Sequence, residues 1–153
     1  MKAQDVLDQL GPLEGAIDPF KIAEKFNVQI SEGPNLPNIS IEALMKGRVV
    51  WIDPGLSDQM RNYMLASKLA TILGEREDTE SFVCALLLPE VMFRRAIRGV
   101  LIRQMGSMLE VRYLAPMLAE IFNVPEFLIV KRLETLKLLS EDGGEVIYET
   151  QLN

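Results

Sequence analysis

The segment from Ser57 to Gly74 constrains the fold most, because its apolar residues recur with the period of an α-helix. A serine side chain can cap the free amides at a helix start, and glycine commonly follows the last helical turn. We therefore predict a long central helix with one apolar face turned into a hydrophobic core. The residues on that face are Met60, Met64, Leu65, Leu69 and Ile72.

Proline positions indicate where other helices begin. Asp18 and Pro19 form a favourable helix start, and Pro89 suits the first turn of another helix, because proline lacks the amide that an interior position needs. Pro116 lies inside a further helical segment and should kink or split it. The expected helices cover residues 18–26, 79–88, 89–105, 109–122 and 125–139.

The strand signals are short. Residues 28–31 predict a strand, and residues 32–38 predict a connector in which two prolines prevent regular pairing. Residues 39–54 predict a β-hairpin with its turn near Gly47, and residues 145–149 predict a strand that pairs with this hairpin or stays at an edge. We expect an α+β fold in which a small antiparallel sheet packs on a helical bundle.

The composition is that of an ordinary globular domain. Of the 153 residues, 48% are hydrophobic and 25% are charged, which is enough to build a core and argues against disorder. No stretch approaches the roughly 20 apolar residues of a membrane span, and the N-terminus lacks the apolar part of a signal peptide, so we expect a cytoplasmic protein. Cys84 lies among apolar neighbours and should be a small core residue.

The chain contains no histidine. This excludes mechanisms that use an imidazole as a base, an acid or a metal ligand, including the usual nucleophilic triads and most zinc sites. The formal net charge is -6, yet residues 91–139 hold eight basic and four acidic residues. Such a section can bind phosphate or an acidic partner, or it can be an ordinary solvated helix surface.

Four phrases occur in a characteristic order along the chain: IAEKFNVQI, RVVWIDP, LASKLAT and SFVCALLLP. In this order they resemble the ImmA/IrrE metallopeptidase family, whose members cleave or remove DNA-binding repressors. The family's central helix carries the zinc motif HExxH, and its next helix carries an acidic third ligand. The resemblance aligns the first histidine, the glutamate and the second histidine with Ser67, Lys68 and Thr71, and the third ligand with Asp78.

These replacements remove the zinc chemistry that the resemblance would imply. In HExxH, two imidazoles one helical turn apart hold zinc, and the glutamate takes the proton from the bound water. The hydroxyls of Ser67 and Thr71 are poor ligands, and Lys68 puts a positive charge where the base belongs. Asp78 alone cannot hold zinc. We expect no metal, no cofactor and no catalytic residue, with the four residues forming either a vestigial partner-binding cleft or an ordinary helix surface.

The phrase LAEIFNVPEFLIVKRLETLKLL resembles the family's closing section and has the outline of a helix-turn-helix. Ala119, Ile121 and Phe122 should pack, and the second helix should present Lys131, Arg132 and Lys137. That helix also has a wide apolar surface, which suits internal packing better than entry into a DNA groove.

The resemblance covers about residues 18–139. It implies a single domain with a minimal zincin-like core at residues 18–108, a helix-turn-helix-like section at residues 109–139 and a tail at residues 140–153.

The helix after Pro89 carries arginines that form a second candidate contact surface for an acidic protein or for phosphate. Its basic face should contain Arg94, Arg95 and Arg98, and its apolar face Val91, Ile97, Leu101 and Ile102. The methionines are expected to fill the core, although they also suit adaptable contact surfaces.

Together these features predict a protein-binding regulator without catalytic activity, related to repressor-cleaving peptidases and encoded by a phage, a mobile element or a stress-response system. Its partner would be a repressor or another regulatory protein. One alternative is a small DNA-binding regulator that uses residues 119–139. Another is a structural, oligomer-forming protein.

Overall fold

The computed structural model describes residues 1–33, 39–74, 78–104 and 108–147, with Met108 described by its backbone alone. These residues are mostly helical, with two sheets of two strands each, so the α+β prediction is confirmed. The helices are α1 (Ala3–Asp8), α2 (Pro19–Lys25), α3 (Ile41–Met45), α4 (Asp58–Leu73), α5 (Thr79–Leu87), α6 (Glu90–Arg103), α7 (Val111–Phe122) and α8 (Glu126–Thr135). The strands are β1 (Gln29–Ser31), β2 (Val49–Trp51), β3 (Met108–Glu110) and β4 (Glu145–Ile147).

Helix α4 is the predicted long central helix. The Ser57 hydroxyl accepts a hydrogen bond from the Met60 amide at 3.2 Å and so caps the helix, and Gly74 follows its last residue. A Cβ at Gly74 would lie 2.5 Å from the Ala70 carbonyl oxygen, so glycine fits this helix end where other residues would clash. One hydrophobic cluster takes in the buried face of α4, which is Leu65, Ala66, Leu69, Ala70 and Leu73.

The proline and capping signals place the other helices approximately, but residues 109 and 110 of the helix predicted at 109–122 belong to β3, and the helix predicted at 125–139 ends at Thr135. Asp18 accepts a hydrogen bond from the Phe20 amide at 2.9 Å at the start of α2, as predicted. Pro116 lies inside α7 but does not split it, so that alternative is wrong. An interior proline costs about 3 kcal/mol, and complete burial of side chains such as Leu114 and Leu118 offsets this cost.

The predicted β-hairpin at residues 39–54 is wrong. Its first half is helix α3, whose start is capped by the Ser40 hydroxyl, which accepts from the Ala43 amide at 3.1 Å. Its second half is a strand, β2, but this pairs in parallel with β1. Parallel neighbours need a crossover connection rather than a tight turn, and the segment that contains α3 is that connection.

The tail strand pairs with a strand that the sequence did not reveal. Strand β4 runs antiparallel to β3, with Leu109 opposite Val146. The prediction that this strand pairs with the hairpin at residues 39–54 is therefore also wrong. Residues 148 and 149 of the predicted strand, residues 34–38 of the predicted connector, and Met105 lie outside the described residues.

The predicted apolar face of α6 is wrong in part. Ile97 and Leu101 are buried, but Val91 and Ile102 are exposed. The helix instead turns Phe93, Ile97 and Val100 inward, because these residues repeat at spacings of three and four.

The prediction that the methionines fill the core is met only in part where their side chains are described, since Met92 packs against the core cluster. Met60, Met64 and Met92 are only partly buried, and Met117 is exposed on α7. Methionine side chains are long and adaptable, so they suit the edge of a core as well as its centre.

Cys84 is a buried core residue, as predicted, with 1% of its surface exposed. Burial raises the pKa of its thiol to about 11, because the thiolate would lose its hydration.

Among the described helices, none is by itself both long and apolar enough to cross a membrane. Helices α7 and α8 are long and apolar enough only when they are taken together, and the chain bends by 107° between them.

Candidate functional site

The outer side of α4 carries three of the four residues that the resemblance assigns to a vestigial cleft. The Ser67 hydroxyl donates a hydrogen bond to the Tyr63 carbonyl oxygen at 2.9 Å, and the Thr71 hydroxyl donates to the Ser67 carbonyl oxygen at 3.3 Å. Both bonds run back one turn along the same helix. The hydroxyl protons are therefore held by carbonyl groups, and these contacts provide no base that would make either oxygen a nucleophile.

Lys68 is exposed on the same side of α4. Within the described residues it makes no ion pair, so its side chain is a solvated positive charge on α4. A positive charge here would repel a metal cation and cannot take a proton from water.

Asp78, the fourth residue, caps α5. Its carboxylate accepts hydrogen bonds from the Ser81 hydroxyl at 2.5 Å and from the Ser81 amide at 3.0 Å. These bonds, the hydroxyl bond first, lower the pKa of Asp78 below its ordinary value. Among the described residues, no hydrogen bond or ion pair joins Asp78 to Ser67, Lys68 or Thr71. Contacts in the described structure therefore do not assemble the four residues into one site.

Acidic and sulfur ligands are also dispersed. Within residues 1–33, 39–74, 78–104 and 108–147, no group of three or more histidine, cysteine, aspartate and glutamate side chains has an arrangement that could hold a metal ion.

The arginines of α6 do not form one uniform basic face. Arg94 donates from two nitrogens to the Glu90 carboxylate, at 3.0 and 3.1 Å, and its Nη1 atom is buried without a hydrogen-bond partner. Arg95 and Arg98 are exposed. The charge of Arg94 is thus largely neutralised, whereas Arg95 makes no ion pair with a described residue.

The basic residues of α8 are turned towards the protein rather than away from it. Lys131 lies 3.8 Å from the Glu80 carboxylate, and the Arg132 Nε donates to the Leu88 carbonyl oxygen at 3.0 Å. Burial lowers the pKa of Arg132. Lys137 is exposed beyond the end of α8, where its positive φ of 57° helps to terminate the helix before residue 139. The basic surface predicted on α8 is thus reduced to one freely exposed cation, Lys137, among those three residues.

The exposed face of α8 is acidic and apolar. It presents Glu126, Phe127 and Glu134, and neither glutamate makes an ion pair with a described residue. The Phe127 ring packs edge-on against the Tyr63 ring of α4, with 4.9 Å between the ring centroids, so one side of the Phe127 ring contacts α4. Acidic side chains on this face would repel a phosphate backbone.

A buried amide anchors the turn between α7 and α8. The Asn62 side chain, 9% exposed on α4, donates to the Asn123 carbonyl oxygen at 2.9 Å. Asn123 takes the left-handed conformation that ends α7. The one sequence signal for this contact is a polar residue among the apolar positions of α4, a common sign of a buried hydrogen bond.

A groove between α6 and α7 is a candidate site that sequence reasoning missed. It has a volume of about 420 Å³, and its other wall is formed by Gly15 and Ala16. Ile121, which was expected to pack, is instead 43% exposed at this groove. Arg95 and Arg103 border it. Gly99 and Ala96 are the sequence signal, since small residues one turn apart leave a helix surface open.

Comparison of the chain with models of protein families, with curated protein sequences and with solved structures gives no match.

Proposed function

We propose that this protein is a non-catalytic, protein-binding regulator: a degenerate relative of the ImmA/IrrE peptidases that binds a repressor or another regulatory protein and is encoded by a phage or mobile element. One observation carries the proposal. At the positions where such a peptidase needs its two histidines and its glutamate, α4 has Ser67, Lys68 and Thr71, and both hydroxyls are bonded within the helix.

Two other groups, the Cys84 thiol and the Asp78 carboxylate, are poorly suited to catalysis in this setting. The Cys84 thiol is buried and has a raised pKa of about 11, so it is protonated at neutral pH and is a poor nucleophile. The pKa of the Asp78 carboxylate is lowered, so it stays ionised and is a poor proton donor. These features support binding rather than catalysis.

The order of the helices is consistent with a zincin-like scaffold. Helix α4, followed by α5 with Asp78 at its start, has the order of parts that a minimal zincin-like core would need. Helices α7 and α8 meet at 107°, within the range of a helix-turn-helix. We interpret the second section as such a motif used for internal packing.

Direct DNA binding through residues 119–139 remains the second candidate, and the angle between α7 and α8 favours it. The charges on α8 weigh against it, because Lys131 and Arg132 are held by groups of the protein while Glu126 and Glu134 are exposed. A DNA-binding helix needs free cations on its outer face.

The test is affinity capture of the tagged full chain from an extract of its source cells, with and without nuclease. We expect a stoichiometric protein that stays bound after nuclease treatment. Capture that disappears with nuclease would move the assignment to DNA binding. A stoichiometric zinc atom on the purified protein, or repressor hydrolysis that a chelator abolishes, would overturn the proposal.

A further inference from the structure

The groove between α6 and α7 has an apolar floor that nothing in the described chain fills. Met92, Ala96 and Gly99 line it from α6, and Ile121 and Phe122 line it from α7. A Cβ added at Gly99 would meet no described heavy atom closer than an Arg103 side-chain nitrogen at 3.9 Å. There is therefore open space above this helix face, wide enough for an apolar side chain from outside.

Two arginines give the groove a charge opposite to that of the whole protein. Arg95 and Arg103 are exposed at its border, and neither makes an ion pair with a described residue. They are eight positions apart on α6, which places their backbones about 12 Å apart along the helix axis. An occupant with an apolar centre and two carboxylates at that spacing would satisfy both arginines.

The outer face of α8 has these properties. Phe127 is 50% exposed, and Glu126 and Glu134 stand eight positions apart on the same helix, about 12 Å along its axis. The nearby cation, Lys131, is turned to Glu80 and does not neutralise them. Helix α3 also exposes apolar residues, but its Glu42 is already paired with Lys46 at 2.6 Å. Helix α8 is therefore the better match to the two arginines.

We propose that the protein self-associates, with α8 of a second copy seated in the groove between α6 and α7. Glu126 and Glu134 of that copy pair with Arg95 and Arg103, and Phe127 covers the apolar floor. One helix in one groove is a small interface, so association is weak and reversible, and salt weakens it because the ion pairs are at the surface. This inference is independent of the regulatory partner proposed above.

A charge-swap experiment on the full chain tests it. Self-association is measured by light scattering and sedimentation from about 1 µM to 1 mM, the range in which a small interface dissociates. The variant Arg95→Glu/Arg103→Glu and the variant Glu126→Arg/Glu134→Arg should each weaken association by about tenfold or more, because like charges then face each other. The four substitutions combined should restore it.

Two further variants complete the design. The control variant Lys21→Glu/Lys25→Glu changes the net charge by the same amount as Arg95→Glu/Arg103→Glu, but on exposed residues of α2. It should change association less than about twofold. Gly99→Leu should weaken association by filling the groove, and circular dichroism should show that it remains folded, since the added Cβ meets no close neighbour.

The outcomes separate the possibilities. A monomer at every concentration overturns the inference, as does association that survives both charge reversals. So does loss of association in the arginine variant without loss in the glutamate variant, because the groove would then hold another part of the second copy. The wild type could prove monomeric and still lose its captured partner in the variant Arg95→Glu/Arg103→Glu. The groove would then bind an acidic helix of that partner and not a second copy of this chain.

Discussion

The outer side of α4 and the groove between α6 and α7 are both helix surfaces, but their polar groups are satisfied differently. On α4, the hydroxyls of Ser67 and Thr71 are bonded to carbonyl groups of the same helix. At the groove, Arg95 and Arg103 have no ion-pair partner among the described residues, and the apolar floor is open. The positions that the resemblance aligns with the zinc motif therefore have their hydroxyls bonded within the helix. The arginines without an ion-pair partner and the open apolar surface lie on α6 and α7, to which the resemblance assigns no zinc ligand or catalytic residue.

The largest expected change in the free energy of unfolding comes from the buried face of α4, and the exposed face of the same helix is the comparison. Leu69 is fully buried, so Leu69→Ala should lower the free energy of unfolding by about 2–5 kcal/mol through lost burial and a cavity. Thr71→Ala, two positions away on the exposed side, should change it by less than about 0.5 kcal/mol. Urea unfolding measures both. Equal losses would show that the outer side of α4 is packed against something.

A smaller effect is expected at the amide that connects α4 to the α7–α8 turn. Asn62→Ala leaves the Asn123 carbonyl without its buried donor and should cost about 1–3 kcal/mol of unfolding free energy. Gln59→Ala is the matched control, because the Gln59 amide makes a longer bond of 3.4 Å to Ala119. If Asn62→Ala proves as mild as the control, the turn does not depend on this anchor.

The next effect is a pH dependence at the start of α5. The pKa of Asp78 is lowered from 3.8 in the folded protein by its bonds to Ser81. Its ionised form therefore stabilises the fold above pH 3.8, and this contribution is lost as the pH falls through the lowered pKa. Asp78→Asn should keep the cap but show a smaller fall in Tm between pH 5 and pH 3 than the wild type.

Ser81→Ala removes the hydroxyl donor and should flatten the same pH profile. Profiles of Tm against pH that stay parallel for the wild type and both variants would show that Asp78 is not linked to folding in this way.

The smallest effect is expected from Ser67 and Lys68, two of the residues that the resemblance assigns to a cleft. Ser67→Ala should change the unfolding free energy by no more than about 0.5 kcal/mol, because alanine favours the helix and the lost bond is local. Lys68→Glu should leave capture of the regulatory partner unchanged. If Lys68→Glu releases the partner, the outer side of α4 is the binding site after all, and the contrast with the groove fails.

Much of the fold could be predicted because its signals are local. The helical period and the caps at Asp18 and Ser57 place α2 and α4 within a residue or two, since a cap and an amphipathic face act within a few turns of chain. Helix α3 was missed because Ile39, Ile41 and the strand signal at residues 49–52 suggested a hairpin, although Glu42, Ala43, Leu44 and Met45 favour a helix. Its Ser40 cap was a signal that could have corrected the prediction.

The sequence by itself determined the absence of histidine, the presence of Ser67, Lys68 and Thr71 at the positions that the resemblance aligns with HExxH, and the helical period of α4. Only the tertiary structure decided that β1 and β2 run parallel, that Arg132 points to the Leu88 carbonyl, and that Arg95 and Arg103 border an open groove. The physical reason is the distance along the chain between the residues that interact. Periodicity and capping are set by near neighbours, whereas strand partners, side-chain direction and grooves depend on elements that meet only when the core closes.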